Sequence, residues 1–181
     1  MLTTLIIPGY GGSGPDHWQT LWEHQHPNMR RVEAPDWERP VCDVWVNNLE
    51  VAVKAAGPGL VLVAHSLACL QVAQWVARPR SSTAFVRAAL LVAPPDPASP
   101  VFPGTIIGFN TVPETRFPFS ATVVYSTDDP YATVAWTEGM AKAWGARAVS
   151  VGAKGHINAA SGMGEWREGQ GLLENLTGNE D

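Results

Sequence analysis

A short stretch near the middle of the chain, residues 59–70, constrains the fold more than any other part. Leu60 to Val63 is an unbroken apolar run rich in valine, typical of a strand buried on both faces of a parallel sheet. Ala64 and His65 come after this run, Ser66 follows them, and the residues after Ser66 favour a helix. A strand-to-helix turn this tight leaves no room for large side chains two residues before and after its centre, where Ala64 and Ala68 stand. The sequence therefore predicts a sharp turn with the hydroxyl of Ser66 at the tip of a buried strand.

The usual pattern for such a turn is Gly-x-Ser-x-Gly, and here both glycines are replaced by alanine. The motif alone leaves two interpretations of Ser66 open. It is a strained nucleophile, held at a cost of about 1–3 kcal/mol by the surrounding packing, or it simply caps the following helix.

The rest of the chain alternates between apolar runs and helical segments. The other predicted strands are Leu2 to Ile7, Met29 to Ala34, Phe85 to Val92, Ala121 to Ser126 and Ala146 to Val151. The predicted helices cover residues 15–26, 41–56, 67–77, 132–144 and 164–176, with a frayed end over 179–181. This alternation predicts one α/β domain over residues 1–181, a three-layer sandwich with about six mostly parallel strands.

Composition narrows the classes of function. The chain is 45% hydrophobic and 16% charged, with a formal net charge of −5, so it is globular and offers no electrostatic support for nucleic-acid binding. Its two cysteines, Cys42 and Cys69, form neither a disulfide framework nor a metal-ligand spacing. The first apolar run is too short for a signal peptide or a membrane span. We expect a cytoplasmic protein with no metal and no membrane association.

A glycine-rich loop, residues 9–14, follows the first predicted strand and has two possible uses. A dinucleotide site would need the Gly-x-Gly-x-x-Gly register at a strand–helix junction and an acidic residue ending the second strand, and neither is present. The other use is to bring backbone N–H groups close to a substrate carbonyl, which glycine permits.

Three strand ends carry side chains that could act together. Ser66 follows the third strand, Asp128 and Asp129 follow the fifth, and His156 follows the sixth. Parallel strands collect such residues at one edge of the sheet, and the order Ser, Asp, His is the one that α/β-hydrolases use. A serine hydroxyl needs a base, and a histidine oriented by a carboxylate supplies one. The order predicts a catalytic triad of Ser66, His156 and an aspartate.

The choice within this set depends on local features. Asp129 is favoured as the acid because Pro130 fixes the turn after it, which leaves Asp128 to bind backbone N–H groups in that turn or to cap the helix. His17, close to the glycine loop, is the competing base, whereas His65 is expected to point away into the packing.

The remaining predictions concern the substrate. The oxyanion hole is expected to use the N–H groups of Leu67 and Tyr10, with Gly11 as the alternative to Tyr10. Residues 93–119 contain seven prolines and several aromatic residues, and are either a binding loop or lid, or a purely structural loop. The predicted pocket residues are Gly11, Trp18, Phe102, Phe109 and Tyr131.

With these residues in place, the chain resembles the retinoblastoma-binding-protein-nine-like serine hydrolase family over nearly its whole length. The resemblance is carried by Pro8-Gly9-Tyr10-Gly11-Gly12, Asp16-His17-Trp18, Pro35-Asp36-Trp37, Ala64-His65-Ser66-Leu67, Ser126-Thr127-Asp128-Asp129-Pro130-Tyr131 and Gly155-His156-Ile157-Asn158. It implies a compact α/β-hydrolase fold without a large cap domain and without a cofactor, with Ser66 as nucleophile, Asp129 as acid and His156 as base. Ala68 departs from the glycine that the family often carries there.

The resemblance implies a serine hydrolase that acts on carboxylic esters or related acyl compounds, with a small acyl molecule as its partner. A thioesterase or a peptidase would use the same residues. A different class, a protein-binding module on the same fold, would instead engage another protein through aromatic residues such as Phe102 and Phe117. The triad argues against that class because a binding module has no use for Asp129 and His156.

Overall fold

A computed structural model of the chain describes residues 2–178, and the end for which fraying is expected, 179–181, lies outside the described residues. Six strands form one sheet in the order β2-β1-β3-β4-β5-β6, with every pairing parallel. They are β1 (Thr4–Ile7), β2 (Met29–Arg31), β3 (Leu60–His65), β4 (Val86–Val92), β5 (Ser120–Tyr125) and β6 (Arg147–Ser150). The helices are α1 (Trp18–Gln25), α2 (Cys42–Ala56), α3 (Leu67–Val76), α4 (Val134–Trp144) and α5 (Arg167–Gly178).

The sheet is the middle layer because successive strand residues face opposite sides. In β3, Leu60 and Leu62 belong to the core that contains residues of α2, α3 and α4, whereas Val61 and Val63 belong to the core under α1 and α5. The apolar run of β3 is unbroken because both of its faces are covered. The predicted three-layer α/β sandwich is confirmed, and its strands are all parallel among the described residues.

Several predicted boundaries, including the start of α1 at Trp18 and not at Pro15, are wrong by up to three residues, and two of them have clear local reasons. Strand β2 ends at Arg31 and not at Ala34, because after one more hydrogen bond, from the Val32 N–H to the Ile6 carbonyl, the chain turns away towards Pro35. Helix α5 begins at Arg167 and not near Gly164, because Trp166 has a φ of 40°, which is incompatible with a right-handed helix.

The proline-rich segment 93–119 is anchored to the domain at several points. Phe109 packs edge-on against Trp45 of α2, and Phe117 stacks on Trp144 of α4. Ile107 forms an isolated bridge to Val41 just before α2. Phe109 and Phe117 are buried, so this segment contributes to the core as well as to the surface. Within residues 2–178, no helix has the length and apolar character needed to cross a bilayer.

The strand order also positions the loops. The chain moves outward from β1 to β2 and then reverses to β3 on the other side of β1. The carboxyl ends of β1 and β3 therefore lie side by side at a topological switch point, where ligands of parallel α/β sheets bind. The glycine-rich loop follows the end of β1, and Ser66 follows the end of β3.

Candidate active site

Ser66 lies in the turn between β3 and α3 in a conformation that L-amino acids rarely adopt. Its φ is 56° and its ψ is −125°, and its N–H donates to the carbonyl of Val92 at 2.8 Å. Ala64 and Ala68 on either side are fully buried. The Ser66 side chain makes no capping hydrogen bond to α3. The interpretation of Ser66 as an ordinary helix cap is therefore wrong, and its hydroxyl is available to another partner.

That partner is His156, in the loop after β6. Its Nε2 lies 2.7 Å from Oγ of Ser66, and its Nδ1 lies 3.0 and 2.9 Å from the two carboxylate oxygens of Asp129. The side chains of His156 and Asp129 are 10% and 4% exposed. Because a carboxylate only accepts hydrogen bonds, the proton of the neutral ring is on Nδ1, and Nε2 presents a lone pair to the Ser66 hydroxyl. A hydroxyl, an imidazole and a buried carboxylate in this order give a weak nucleophile its base.

The two neighbouring aspartates have different partners. Asp129 accepts the backbone N–H of Tyr131 at 2.9 Å in addition to the contact with His156. Asp128 accepts the hydroxyl of Ser126 at 2.6 Å and the N–H of Gly155 at 2.7 Å. These two hydrogen bonds, that of Ser126 first, lower the pKa of Asp128. Asp128 thus binds a backbone N–H as expected, but in the neighbouring loop and not in its own turn.

The glycine-rich loop lies directly against the turn at Ser66. A Cβ added to Gly9 would be 2.7 Å from the carbonyl oxygen of His65, 2.9 Å from Cβ of Ser66 and 3.1 Å from N of Leu67. Distances under 3.0 Å are not compatible with a real Cβ. Glycine at position 9 is therefore what allows the two backbones to approach each other.

Two backbone N–H groups beside this contact are free to bind a ligand. The N–H of Tyr10 and that of Leu67, the first residue of α3, make no hydrogen bond within residues 2–178. The N–H of Gly11, the alternative donor, donates to the carbonyl of Trp37 at 2.9 Å and is already engaged. A pair of free donors on either side of a nucleophile is what an oxyanion hole requires.

A cavity of about 260 Å³ opens beside Ser66 and His156. Tyr10, Leu67, Phe102 and Tyr131, all named from the sequence, are among its lining residues. Polar and apolar atoms contribute about equally to the wall, and within residues 2–178 no aspartate, glutamate, lysine or arginine lines it. Phe102 and Ile106 are also lining residues, so the segment 93–119 supplies part of the cavity wall.

Three residues predicted for the pocket lie elsewhere. Trp18 is only 1% exposed, packs edge-on against Trp166, and donates its indole N–H to the carbonyl of Ile157 at 2.8 Å. Phe109 is equally buried, against α2. Gly11 is not part of the cavity wall, which contains Tyr10 and Gly12 instead. The prediction that Gly11, Trp18 and Phe109 line the pocket is therefore wrong.

A histidine cluster beneath the site was only partly foreseen. The ring of His65 lies 5.1 Å from that of His156 and 4.7 Å from that of His17. Nε2 of His65 lies 2.9 Å from the carbonyl oxygen of His156, so it donates its N–H to the backbone of the candidate base. His65 is buried as expected, but it packs towards the site. Burial lowers its pKa, and His17 and His156 add to this effect.

His17, the competing base, does not contact the Ser66 hydroxyl through any hydrogen bond within residues 2–178. Its Nδ1 instead accepts the N–H of Gln19 at 3.1 Å and caps α1. In the same described part of the chain, no group of three histidines, cysteines or acids is arranged to hold a metal ion.

The glycine-rich loop is held by a buried hydrogen-bond network that the sequence analysis did not predict. The amide of Gln19 is fully buried, donates to the carbonyls of Ile7 and Val63, and accepts the hydroxyl of Ser13. Arg31 donates to the carbonyl of Ser13 at 3.0 Å. These bonds connect the loop to the ends of β1 and β3. The sequence signal for this network was Gln19, a polar residue among the apolar residues of helix α1.

The comparisons with known proteins agree with this geometry. The model of the serine hydrolase family matches residues 4–175. The chain belongs to this family. The resemblance to retinoblastoma-binding-protein-nine-like hydrolases that the sequence motifs indicated is thereby confirmed.

Solved structures give the same result for the fold of this serine hydrolase. A protein described as a YdeN-like hydrolase from Pectobacterium atrosepticum is 26% identical, with a TM-score of 0.84 over 98% of this chain and 91% of that chain. The ydeN gene product of B. subtilis is 18% identical, with a TM-score of 0.77 over 99% and 100%. A thermophilic esterase from Thermogutta terrifontis is 14% identical, with a TM-score of 0.68 over 97% and 89%. No curated protein matches the sequence.

Proposed function

We propose that this serine hydrolase cleaves carboxylic esters through a triad of Ser66, His156 and Asp129 and a covalent acyl-enzyme. The observation that carries the proposal is the continuous hydrogen-bonded series from the Ser66 hydroxyl through both nitrogens of His156 to the Asp129 carboxylate. The series joins residues that are 90 and 27 positions apart in sequence. It ends beside two free N–H groups and a cavity.

In the first half of the reaction, Oγ of Ser66 attacks the ester carbonyl carbon while Nε2 of His156 takes the hydroxyl proton. The carbonyl oxygen becomes an oxyanion that accepts the N–H groups of Tyr10 and Leu67. Asp129 stabilises the imidazolium that forms. The tetrahedral intermediate then breaks the carbon–oxygen bond to the alcohol, which leaves with the proton from His156, and the acyl group remains on Ser66.

In the second half, water attacks the acyl carbon while His156 takes one of its protons. The bond to Ser66 breaks, Oγ recovers a proton from His156, and the carboxylic acid leaves. The reaction uses only protein groups and water.

The cavity supports a small, uncharged substrate. Its volume of about 260 Å³ favours a short acyl or alcohol group, and within residues 2–178 no aspartate, glutamate, lysine or arginine lines it to bind a charged substrate. A peptidase would need acidic or basic subsites, so ester cleavage is favoured over peptide cleavage. Thioesters remain a chemical option for the same residues.

The test is turnover and covalent labelling of the purified protein. The wild type should hydrolyse short-chain aryl esters and react with a fluorophosphonate probe. The Ser66→Ala variant should lose the labelling and about a millionfold of turnover, and His156→Ala should lose a similar amount. Ser120→Ala, at the exposed start of β5, is the matched serine control. Labelling that survives in Ser66→Ala would remove Ser66 from its role. Parallel assays with a thioester and a peptide substrate separate the three acyl classes.

A further inference from the structure

The cavity wall contains a buried hydrogen-bond donor that no protein group uses. Within residues 2–178, three buried side-chain polar atoms have no hydrogen-bond partner: Nε2 of His17, Oε1 of Gln71 and Nε1 of Trp166. His17 is the one of these residues that also lines the cavity beside Ser66. A buried polar group without a partner is unfavourable, so each such group in a native protein calls for an explanation.

The tautomer of His17 follows from its other nitrogen. Nδ1 accepts the backbone N–H of Gln19 at 3.1 Å, so it carries a lone pair and no proton. Burial lowers the pKa of His17 to about 4, and Arg31 and His156 act in the same direction. The ring is therefore neutral near pH 7, and its single proton is on Nε2. His17 presents an uncharged N–H donor.

The neighbouring rings do not satisfy this donor. Nε2 of His65 is bound to the carbonyl of His156, and the indole N–H of Trp18 is bound to the carbonyl of Ile157. The His17 and His65 rings meet edge to face at 4.7 Å without a hydrogen bond between them. The open space next to His17 is the cavity, whose wall includes this residue.

We propose that Nε2–H of His17 binds an acceptor oxygen of the substrate beyond the ester group that is cleaved. This inference rests on the proposed esterase function and specifies its substrate class: small neutral esters that carry an ether, keto or hydroxyl oxygen in the acyl or alcohol portion. The scissile carbonyl oxygen is not the acceptor, because the N–H groups of Tyr10 and Leu67 are placed for it. The acceptor is neutral because, in the described part of the chain, no aspartate, glutamate, lysine or arginine lines the cavity to pair with an ion.

The variant that isolates this donor is His17→Asn. Asparagine is among the best N-cap residues, so its Oδ1 retains the capping bond to the Gln19 N–H, but its side chain is too short to replace Nε2. Two pairs of nearly isosteric esters complete the test. A methoxyacetate is compared with a butyrate of the same alcohol, and a 2-methoxyethyl ester with a butyl ester of the same acid.

For at least one pair, the ratio of kcat/KM for the oxygen-bearing ester to that for the alkyl ester should fall about fivefold to tenfold from wild type to His17→Asn. The comparison between enzymes cancels the intrinsic reactivity of each ester. Equal ratios in both enzymes for both pairs would overturn the proposal. The melting temperature of His17→Asn verifies that the cap is retained.

A measurement on the wild type alone covers the case in which His17→Asn does not fold. The kcat/KM of each ester is divided by its rate constant for hydroxide-catalysed hydrolysis in solution. An excess for the oxygen-bearing member of a pair supports the proposal, and no excess in either pair contradicts it. Failure of the proposed function is a different result, because then no ester of either pair shows turnover that depends on Ser66.

Discussion

The carboxylate of Asp128 accepts the backbone N–H of Gly155 at 2.7 Å and thereby ties the loop after β5 to the loop after β6. The same carboxylate is held by the hydroxyl of Ser126, which also accepts the N–H of Lys154 at 2.8 Å. These bonds fix the backbone immediately before His156. Two adjacent aspartates thus hold the same histidine loop, Asp129 through the ring and Asp128 through the backbone.

We expect Asp129→Asn to lower kcat by about ten-thousandfold, because an amide opposite Nδ1 favours the wrong tautomer of His156. Asp128→Asn is the matched change. It removes the adjacent charge but keeps an oxygen that accepts the Gly155 N–H, so kcat should fall by less than about tenfold. Steady-state kinetics with a short-chain ester measure both. If Asp128→Asn were the more damaging of the two, the assignment of the acid would have to be exchanged.

Gly9→Ala is predicted to damage the oxyanion site. The new Cβ would collide with the carbonyl of His65 and with Ser66, so the glycine-rich loop must move and carry the N–H of Tyr10 with it. The loss of one donor lowers kcat by about a hundredfold to a thousandfold. Gly139→Ala in α4 is the control, since a Cβ there meets no atom within 4 Å. Wild-type kcat in a folded Gly9→Ala variant would contradict the tight approach of the two backbones.

Phe102 and Phe109 should respond differently to truncation, although both belong to the segment 93–119. Phe102→Ala removes part of the cavity wall, so the preferred acyl chain of the ester should become longer. Phe109→Ala leaves a void in the core and should cost about 3–5 kcal/mol of unfolding free energy with the chain-length profile unchanged. The measurements are kcat/KM over a series of acyl esters and urea unfolding. A changed chain-length profile in Phe109→Ala would mean that Phe109 lines the pocket.

The pKa of His17 predicts how stability depends on pH. It is about 4 in the folded protein, against 6.5 for the ordinary side chain, because of burial and then of Arg31 and His156. Between these values the unfolded chain holds more protons than the folded one, so the unfolding free energy decreases as the pH falls. The decrease is on the order of 3 kcal/mol and is complete below about pH 4. His65, whose pKa is also lowered, acts in the same direction.

Urea unfolding of the wild type and of His17→Asn between about pH 4 and pH 7 measures this dependence. The unfolding free energy of the variant should depend less steeply on pH, with a slope smaller by the equivalent of up to one bound proton, because asparagine does not titrate. Identical slopes in the two proteins would mean that His17 already titrates normally in the folded state.

The sequence indicated those features of the site that depend on local signals. Apolar runs placed the strands, and the turn residues after β3, β5 and β6 pointed to Ser66, Asp129 and His156. Parallel strands then bring such residues to one edge. The structure places these three side chains in hydrogen-bond contact.

Features that depend on packing between distant segments could not be predicted in this way. Trp18 is near the glycine-rich loop in sequence, but it is buried against Trp166, which lies far along the chain. Phe109 was one of several phenylalanines in a proline-rich segment, and only its position against Trp45 identifies it as a core residue. In the same way, the bond from His65 to the carbonyl of His156 spans 91 residues.

In the proposed mechanism the reacting groups come from the ends of four strands, β1, β3, β5 and β6, from Tyr10 near the start of the chain to His156 near its end. On this mechanism, a nascent chain carries the proposed nucleophile long before the proposed base, and stays inert towards esters until the last α/β unit has joined the sheet. Hydrolysis measured during refolding therefore reports the arrival of that final unit. A proteolytic nick between positions 10 and 156 would divide the catalytic groups between two fragments, and activity would then require that the fragments remain associated.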